Sequence, residues 1–171
     1  MKNIMTMTLA LVASFTLNAQ DINDLDFLIG SWEVTETLYP GTDRTWQENG
    51  TRTCEYWLDG QFIKCESVTV DSRNGNQRTY AYFFNYHEKE DCFLVTSFAH
   101  DFPLHGQHKW FLNKEEKVIQ AISPKNVIGD QFFRATISYA DPNRIIWNGW
   151  RSKFTEDKAW FQVFNDVTVR K

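Results

Sequence analysis

The chain has 171 residues, 42% of them hydrophobic and 23% charged, which suits one domain and excludes both an extended disordered polymer and a membrane bundle. Its formal charge is −4 with no concentrated basic patch, so the positive face that nucleic-acid binding requires is missing. Against only 8 Gly and 4 Pro, the 7 Trp, 6 Tyr and 14 Phe point to a compact β-rich domain with a sizeable core.

Residues 1–19 join Lys2 to an apolar run that ends at Ala19, the pattern of a secretory signal. The run is short and interrupted for a membrane span, and a buried structural helix is its competing reading. Export predicts a periplasmic or secreted protein, with one β-barrel domain over 20–171 and no stable membrane insertion after processing. Asp24–Ile29 then reads as a short helical or turned entrance. A first strand follows, in which Trp32, Val34, Glu36 and Leu38 alternate.

Cys54, Tyr56 and Leu58 form the next alternating face. Asp59–Gly60 follows at once, a type I′ hairpin signal because both central residues must tolerate positive φ. A two-residue turn there pairs Tyr56 with Ile63 and Cys54 with Cys65, and leaves Glu55, Lys64 and Glu66 on the opposite face. That two-sided pattern suits antiparallel sheet. Further strands are predicted over Thr79–Tyr86, Cys92–Phe98, His108–Leu112, Lys117–Ile122, Phe132–Tyr139, Ile145–Trp150 and Trp160–Val169. In the second of these, Cys92, Leu94 and Phe98 share one face while Phe93 and Val95 take the other. Asn74–Gly75, Asn113–Lys114, Asp141–Pro142–Asn143 and Glu156–Asp157 punctuate the series. The expected fold is all-β, an antiparallel up-and-down barrel, because closure removes exposed edges; a two-sheet sandwich is the alternative.

The entrance LDFLIGSW, residues 25–32, resembles the Gly-x-Trp opening of lipocalin-like and other calycin barrels. The segment CEYWLDGQFIKCE, residues 54–66, is similar to the hairpin of a bacterial family of uncharacterised lipocalin-like domains. The resemblance implies an up-and-down barrel with a cavity for small, often hydrophobic molecules. It implies that Gly30 allows close entry, that Trp32 plugs one end, and that a late basic residue packs over Trp32, with Arg170 and Arg151 as candidates. Haem-binding relatives use a histidine near the C-terminal end; this chain has none there, which counts against haem.

Cys54 and Cys65 are candidates for a disulfide, with two reduced core thiols as the alternative. Cys92 is left over and reads as a small buried hydrophobe. His105 and His108 with Asp101 match no strong zinc spacing, so no metal or other cofactor is assigned. His100–Asp101 has no activated serine or cysteine beside it, and Glu33 and Glu36 fall on opposite strand faces, so no catalytic residue is assigned. The aromatic positions carry the binding expectation. Tyr56, Tyr82, Phe84, Phe98, Phe132, Trp147 and Phe164, with Ile63 and Leu94, form a pocket wall or, equally, a filled core.

The leading function is therefore noncovalent burial of a small hydrophobic or amphipathic molecule, with Pro40–Asn49 and Asp101–His108 controlling entry. A hydrolase or isomerase acting on a molecule held in the cavity is the second reading. The third is a structural or protein-interaction barrel with a filled core and exposed aromatics such as Trp57 and Phe62. The residues name no protein partner.

Overall fold

The computed structural model describes residues 20–100, 102–123, 131–153 and 160–171, with the backbone alone at 102–105, 122, 123, 131, 132 and 153. A 3₁₀ helix over Ile22–Leu28 leads into ten strands. These are β1 (Gly30–Leu38), β2 (Trp46–Trp57), β3 (Phe62–Asp71), β4 (Gln77–His87), β5 (Cys92–Ala99), β6 (Phe102–Asn113), β7 (Val118–Ser123), β8 (Gln131–Asp141), β9 (Arg144–Lys153) and β10 (Phe161–Arg170). Each strand pairs antiparallel with its neighbour in sequence, and β1 closes on β10, giving an up-and-down barrel rather than a sandwich.

Period-two alternation sets the register. In β1, Trp32, Val34 and Leu38 are buried while Ser31, Glu33 and Thr35 are exposed. In the hairpin, Asp59 and Gly60 take φ of 53° and 80°, and the Gln61 amide donates to the Leu58 carbonyl at 3.1 Å. This is the predicted turn, and it pairs Tyr56 with Ile63 and Cys54 with Cys65. Two other turns use local side-chain acceptors: Asn74 receives the Asn76 amide and Asp141 the Asn143 amide, each at 2.8 Å. Glu156–Asp157 lies outside the described residues.

One end of the barrel is shut by the 3₁₀ helix. Asp21 accepts the Asn23 amide at 2.8 Å, and Asp24 reaches back to the Asp21 amide at 2.9 Å, a reciprocal cap that fixes the helix start. Leu25 and Leu28 then point into the barrel and are fully buried. Trp32 is 0% exposed and donates its indole N–H to the Leu28 carbonyl at 2.8 Å. Of the two candidate cations, Arg170 is the one over this ring, with its guanidinium carbon 4.2 Å from the centroid and Nη1 bonded to the Ile29 carbonyl at 3.0 Å. Gly30 makes that possible: its φ is +132°, and a Cβ there would stand 2.7 Å from Arg170 Nη1.

Above the plug lies a dry layer that includes Ile63, Phe84, Phe93, Ile119, Ile137 and Ile145. Cys54 and Cys65 are joined as a disulfide within it, their α-carbons 4.0 Å apart, and Cys92 is a buried free thiol. No helix among the described residues is long and apolar enough to cross a membrane.

The plug and the outer face should respond very differently to truncation. Trp32→Ala is expected to cost about 3–5 kcal/mol in urea unfolding. Phe111→Ala, at a residue 50% exposed on the outer wall, should change stability by no more than about 0.5 kcal/mol. Equal losses at the two sites would contradict the plug.

Candidate functional site

The far half of the barrel is open. A cavity of about 970 Å³ runs from the level of Trp147 to the mouth, where β1, β3, β5, β7 and β9 end. One wall is apolar and built from Val95, Trp110, Phe133, Ala135, Trp147 and Phe164. The facing wall carries Glu36, Asp71, Arg73, Arg78, Tyr80 and Tyr82. A ligand seated here would touch aromatic carbon on one side and charge on the other.

Arg52 sits beneath the charged wall, 4% exposed. It donates to Ser67 Oγ at 2.6 Å, to Thr168 Oγ1 at 3.2 Å and to Asp166 Oδ2 at 2.5 Å. The other carboxylate oxygen of Asp166 accepts from Thr168 at 2.7 Å. Burial works against the Arg52 charge, and Asp166 together with Tyr82 and Glu36 more than restores it, so the net displacement is upward. The guanidinium also lies 4.4 Å over the Trp147 ring and so supports the cavity floor from behind.

Two further pairs lie nearer the mouth. Glu48 is fully buried and accepts from Thr69 at 2.7 Å, Arg78 at 2.8 Å and the Trp46 indole at 3.1 Å. Asp71 binds Arg73 at 2.6 Å, and that hydrogen bond holds its carboxyl down to about 2. Arg73 in turn stacks 3.6 Å over Trp46. Burial also pushes the Tyr80 and Tyr82 phenols up, so both stay protonated donors.

Glu36 differs from these acids because its carboxyl has neither hydrogen bond nor ion pair among the described residues. Burial, followed by the fields of Asp166 and Glu48, raises it from 4.5 to about 8. At neutral pH it is therefore a carboxylic acid in the cavity wall.

The predicted wall residues divide into several groups. Tyr82, Trp147 and Phe164 line the cavity. Ile63 and Phe84 are fully buried in the dry layer below it. Tyr56 is 38% exposed outside the plugged end, where its hydroxyl donates to Asn23 Oδ1 at 2.9 Å and to Asp26. It shares the parity of Cys54 but stands beyond the core. Leu94 is not on the inner face, because Phe93 and Val95, buried at 0% and 2%, take that side of β5. Phe98 borders the mouth but is 45% exposed and packs edge-on against Phe83, at a register shift between Ser97 and Ala99. The side chain of Phe132 lies outside the described residues.

The proposed entry segments meet the mouth only in part. Of Pro40–Asn49, Trp46 lines the cavity from β2; of Asp101–His108, Gly106 and His108 line it from β6, and Asp101 lies outside the described residues. His108 lines the cavity, its imidazole pushed down by burial and its Nδ1 without a partner. Ser97 Oγ and His108 Nε2 flank Gly106, and no hydrogen bond joins them among the described residues. Among the described residues no cluster of three or more metal-ligating side chains exists. The aromatics Trp57, Phe62, Phe83 and Phe98 contact one another in series, edge-on or tilted, along the outside of β2 to β5.

The sequence reading missed Arg52, Glu48, Asp166 and Arg78. The signal for Glu36 was parity, since it alternates with Trp32 and Val34, which both point inward. Parity likewise places Arg52 with Cys54.

Two consequences are measurable. Removing the guanidinium in Arg52→Met leaves Asp166 buried and uncompensated, so unfolding should be easier by about 3–5 kcal/mol at pH 7. Glu36 ionises in the unfolded chain near 4.5 but in the folded protein only at about 8, so the native state holds the extra proton in between. Its contribution to stability is full below the lower value and is lost as pH rises through the upper one, at roughly 1.4 kcal/mol per pH unit. Glu36→Gln cannot titrate. Its melting temperature relative to the native chain should rise between pH 5 and 8 and then level; parallel melting curves across that range would refute the assignment.

No protein-family model matches the chain, and no curated protein matches it either. Among solved structures it is similar to Rv2717c from M. tuberculosis, with 10% identity and a TM-score of 0.63 over 88% of this chain and 96% of that one. It is also similar to the S-type phycobiliprotein lyase CPES from Guillardia theta, with 10% identity and a TM-score of 0.60 over 89% and 93% of the two chains. At this identity the likeness is one of fold, and together with the closed ten-strand topology it fits a lipocalin-like, calycin-type barrel.

Proposed function

We propose that the protein holds a small amphipathic molecule noncovalently inside the open half of the barrel. The observation that carries this reading is the cavity of about 970 Å³, with an aromatic wall facing a charged one. That volume lies near the upper end of the range of ligand sites, roughly 300–1,000 Å³. Desolvation of the apolar body drives entry, and polar contacts on the β1 to β4 side select orientation. The packed lower half makes the floor rigid, so the site is largely formed before binding.

We further propose that the chain acts after export, as a periplasmic or secreted domain spanning residues 20–171. Lys2 with its apolar run supports this, as does the disulfide between Cys54 and Cys65, a bond suited to oxidising compartments.

Trp147 carries Arg52 on its back, so truncating it would disturb the buried ion pair along with the wall. Filling the cavity is the cleaner test. Ala135 is buried in the apolar wall, and Ala135→Trp would project a large ring into the open space. The exported protein should begin at Gln20. Its native mass should exceed its denatured mass by one reproducible small molecule, and Ala135→Trp should lose both that mass and the binding of an apolar fluorescent probe. A native mass equal to the bare chain, together with unchanged probe binding in Ala135→Trp, would overturn the reading.

A further inference from the structure

Four carboxylates stand in one row across the inside of the barrel. The strand ladders set Asp166 opposite Glu36, Glu36 opposite Glu48, and Glu48 opposite Asp71. Arginines meet three of them: Arg52 binds Asp166, Arg78 binds Glu48 and Arg73 binds Asp71. Glu36 is the remaining acid. It lines the cavity, has no cation of its own and is flanked by a carboxylate on both sides. Such a group is neutralised in only two ways, by a proton or by a positive charge arriving from the cavity.

The cavity beside Glu36 has room for an occupant, with Glu36 on one wall and the apolar side chains of Val95, Phe133, Ala135 and Phe164 on the other. Tyr80 and Tyr82 lie on the charged wall near Glu36, with Arg78 5.2 Å from the centroid of the Tyr80 ring and Arg52 6.0 Å from that of Tyr82.

We infer that the occupant carries a basic nitrogen, as an ammonium, amidinium or protonated heterocycle on an apolar body, and that Glu36 is its counter-ion. This rests on the small-molecule reading above and gives that molecule a charge. The groups facing Glu36 are Asp166 from β10, Glu48 and Arg52 from β2, and Arg78, Tyr80 and Tyr82 from β4. The acids reinforce the attraction for a cation, and the two arginines are already bound to Asp166 and Glu48. Because Glu36 is protonated up to about pH 8, taking up a cation below that pH expels the proton.

The test compares three fluorescent probes on the mature protein. Dansylcadaverine carries an amine, dansylamide is neutral, and anilinonaphthalene sulfonate is an anion. At pH 8 the amine is expected to bind at least about ten-fold more tightly than the neutral probe, and its affinity should fall about ten-fold per unit on acidification to pH 6. Glu36→Gln should abolish both the preference and the pH slope. Equal affinities, a preference for the anion, or a preference that survives in Glu36→Gln would overturn the counter-ion role. The pH slope of the native chain reads the same linkage without any substitution, so a slope of zero overturns it as well. Failure of all three probes to bind would instead remove the small-molecule reading, and the counter-ion would fall with it.

Discussion

Ten strands closed on themselves enclose more width than their own inward side chains fill, since about eight already suffice to surround a packed interior. The structure meets that constraint differently at its two ends. At one, the 3₁₀ helix supplies Leu25 and Leu28 as added filling, and Trp32 is locked under Arg170. At the other, no such filling is present, and the width becomes a cavity. The alternatives of filled core and usable pocket are thus both realised, one above the other.

The open half also explains how charge comes to lie inside a barrel. A carboxylate in a dry interior must be paired or protonated. Here Arg52 and Arg78 are tied to Asp166 and Glu48 by short contacts of 2.5 and 2.8 Å, and serine and threonine hydroxyls complete the bonding around them. Such pairs contribute little net stability compared with well-packed apolar residues. Their effect here is positional: they hold one wall polar and keep the Trp147 ring in place.

The fold was legible because strand alternation and turn chemistry are local. Asp59–Gly60 alone determined the Cys54–Cys65 pairing, and the Gly30–Trp32 entrance located the plug. The wall was less legible for two reasons. In β5 both faces are apolar, so nothing local distinguishes Leu94 from Val95; only the ladder to β6 does. Parity also gives direction without height, which is why Ile63, Phe84 and Tyr56 share the inward phase but sit at or below the dry layer. The buried charges escaped because charged residues usually mark the wet face. Glu36 shows that inside a half-open barrel, a charge in the inward phase signals the cavity rather than a misassigned strand.

The pairing of β1 with β10 has a consequence for assembly. Every other ladder joins strands adjacent in sequence, but this seam joins the two ends of the domain, as do the Arg52–Asp166 bond and the Arg170 contact to Ile29. Both strands therefore keep an unpaired backbone edge until synthesis of the last strand is complete. The final step concentrates the long loop closure, the burial of the Arg52 charge and the clasp over Trp32 into one event, so the barrel closes as a unit and late. A chain interrupted before Phe161 would lose the seam, the clasp and one edge's protection together.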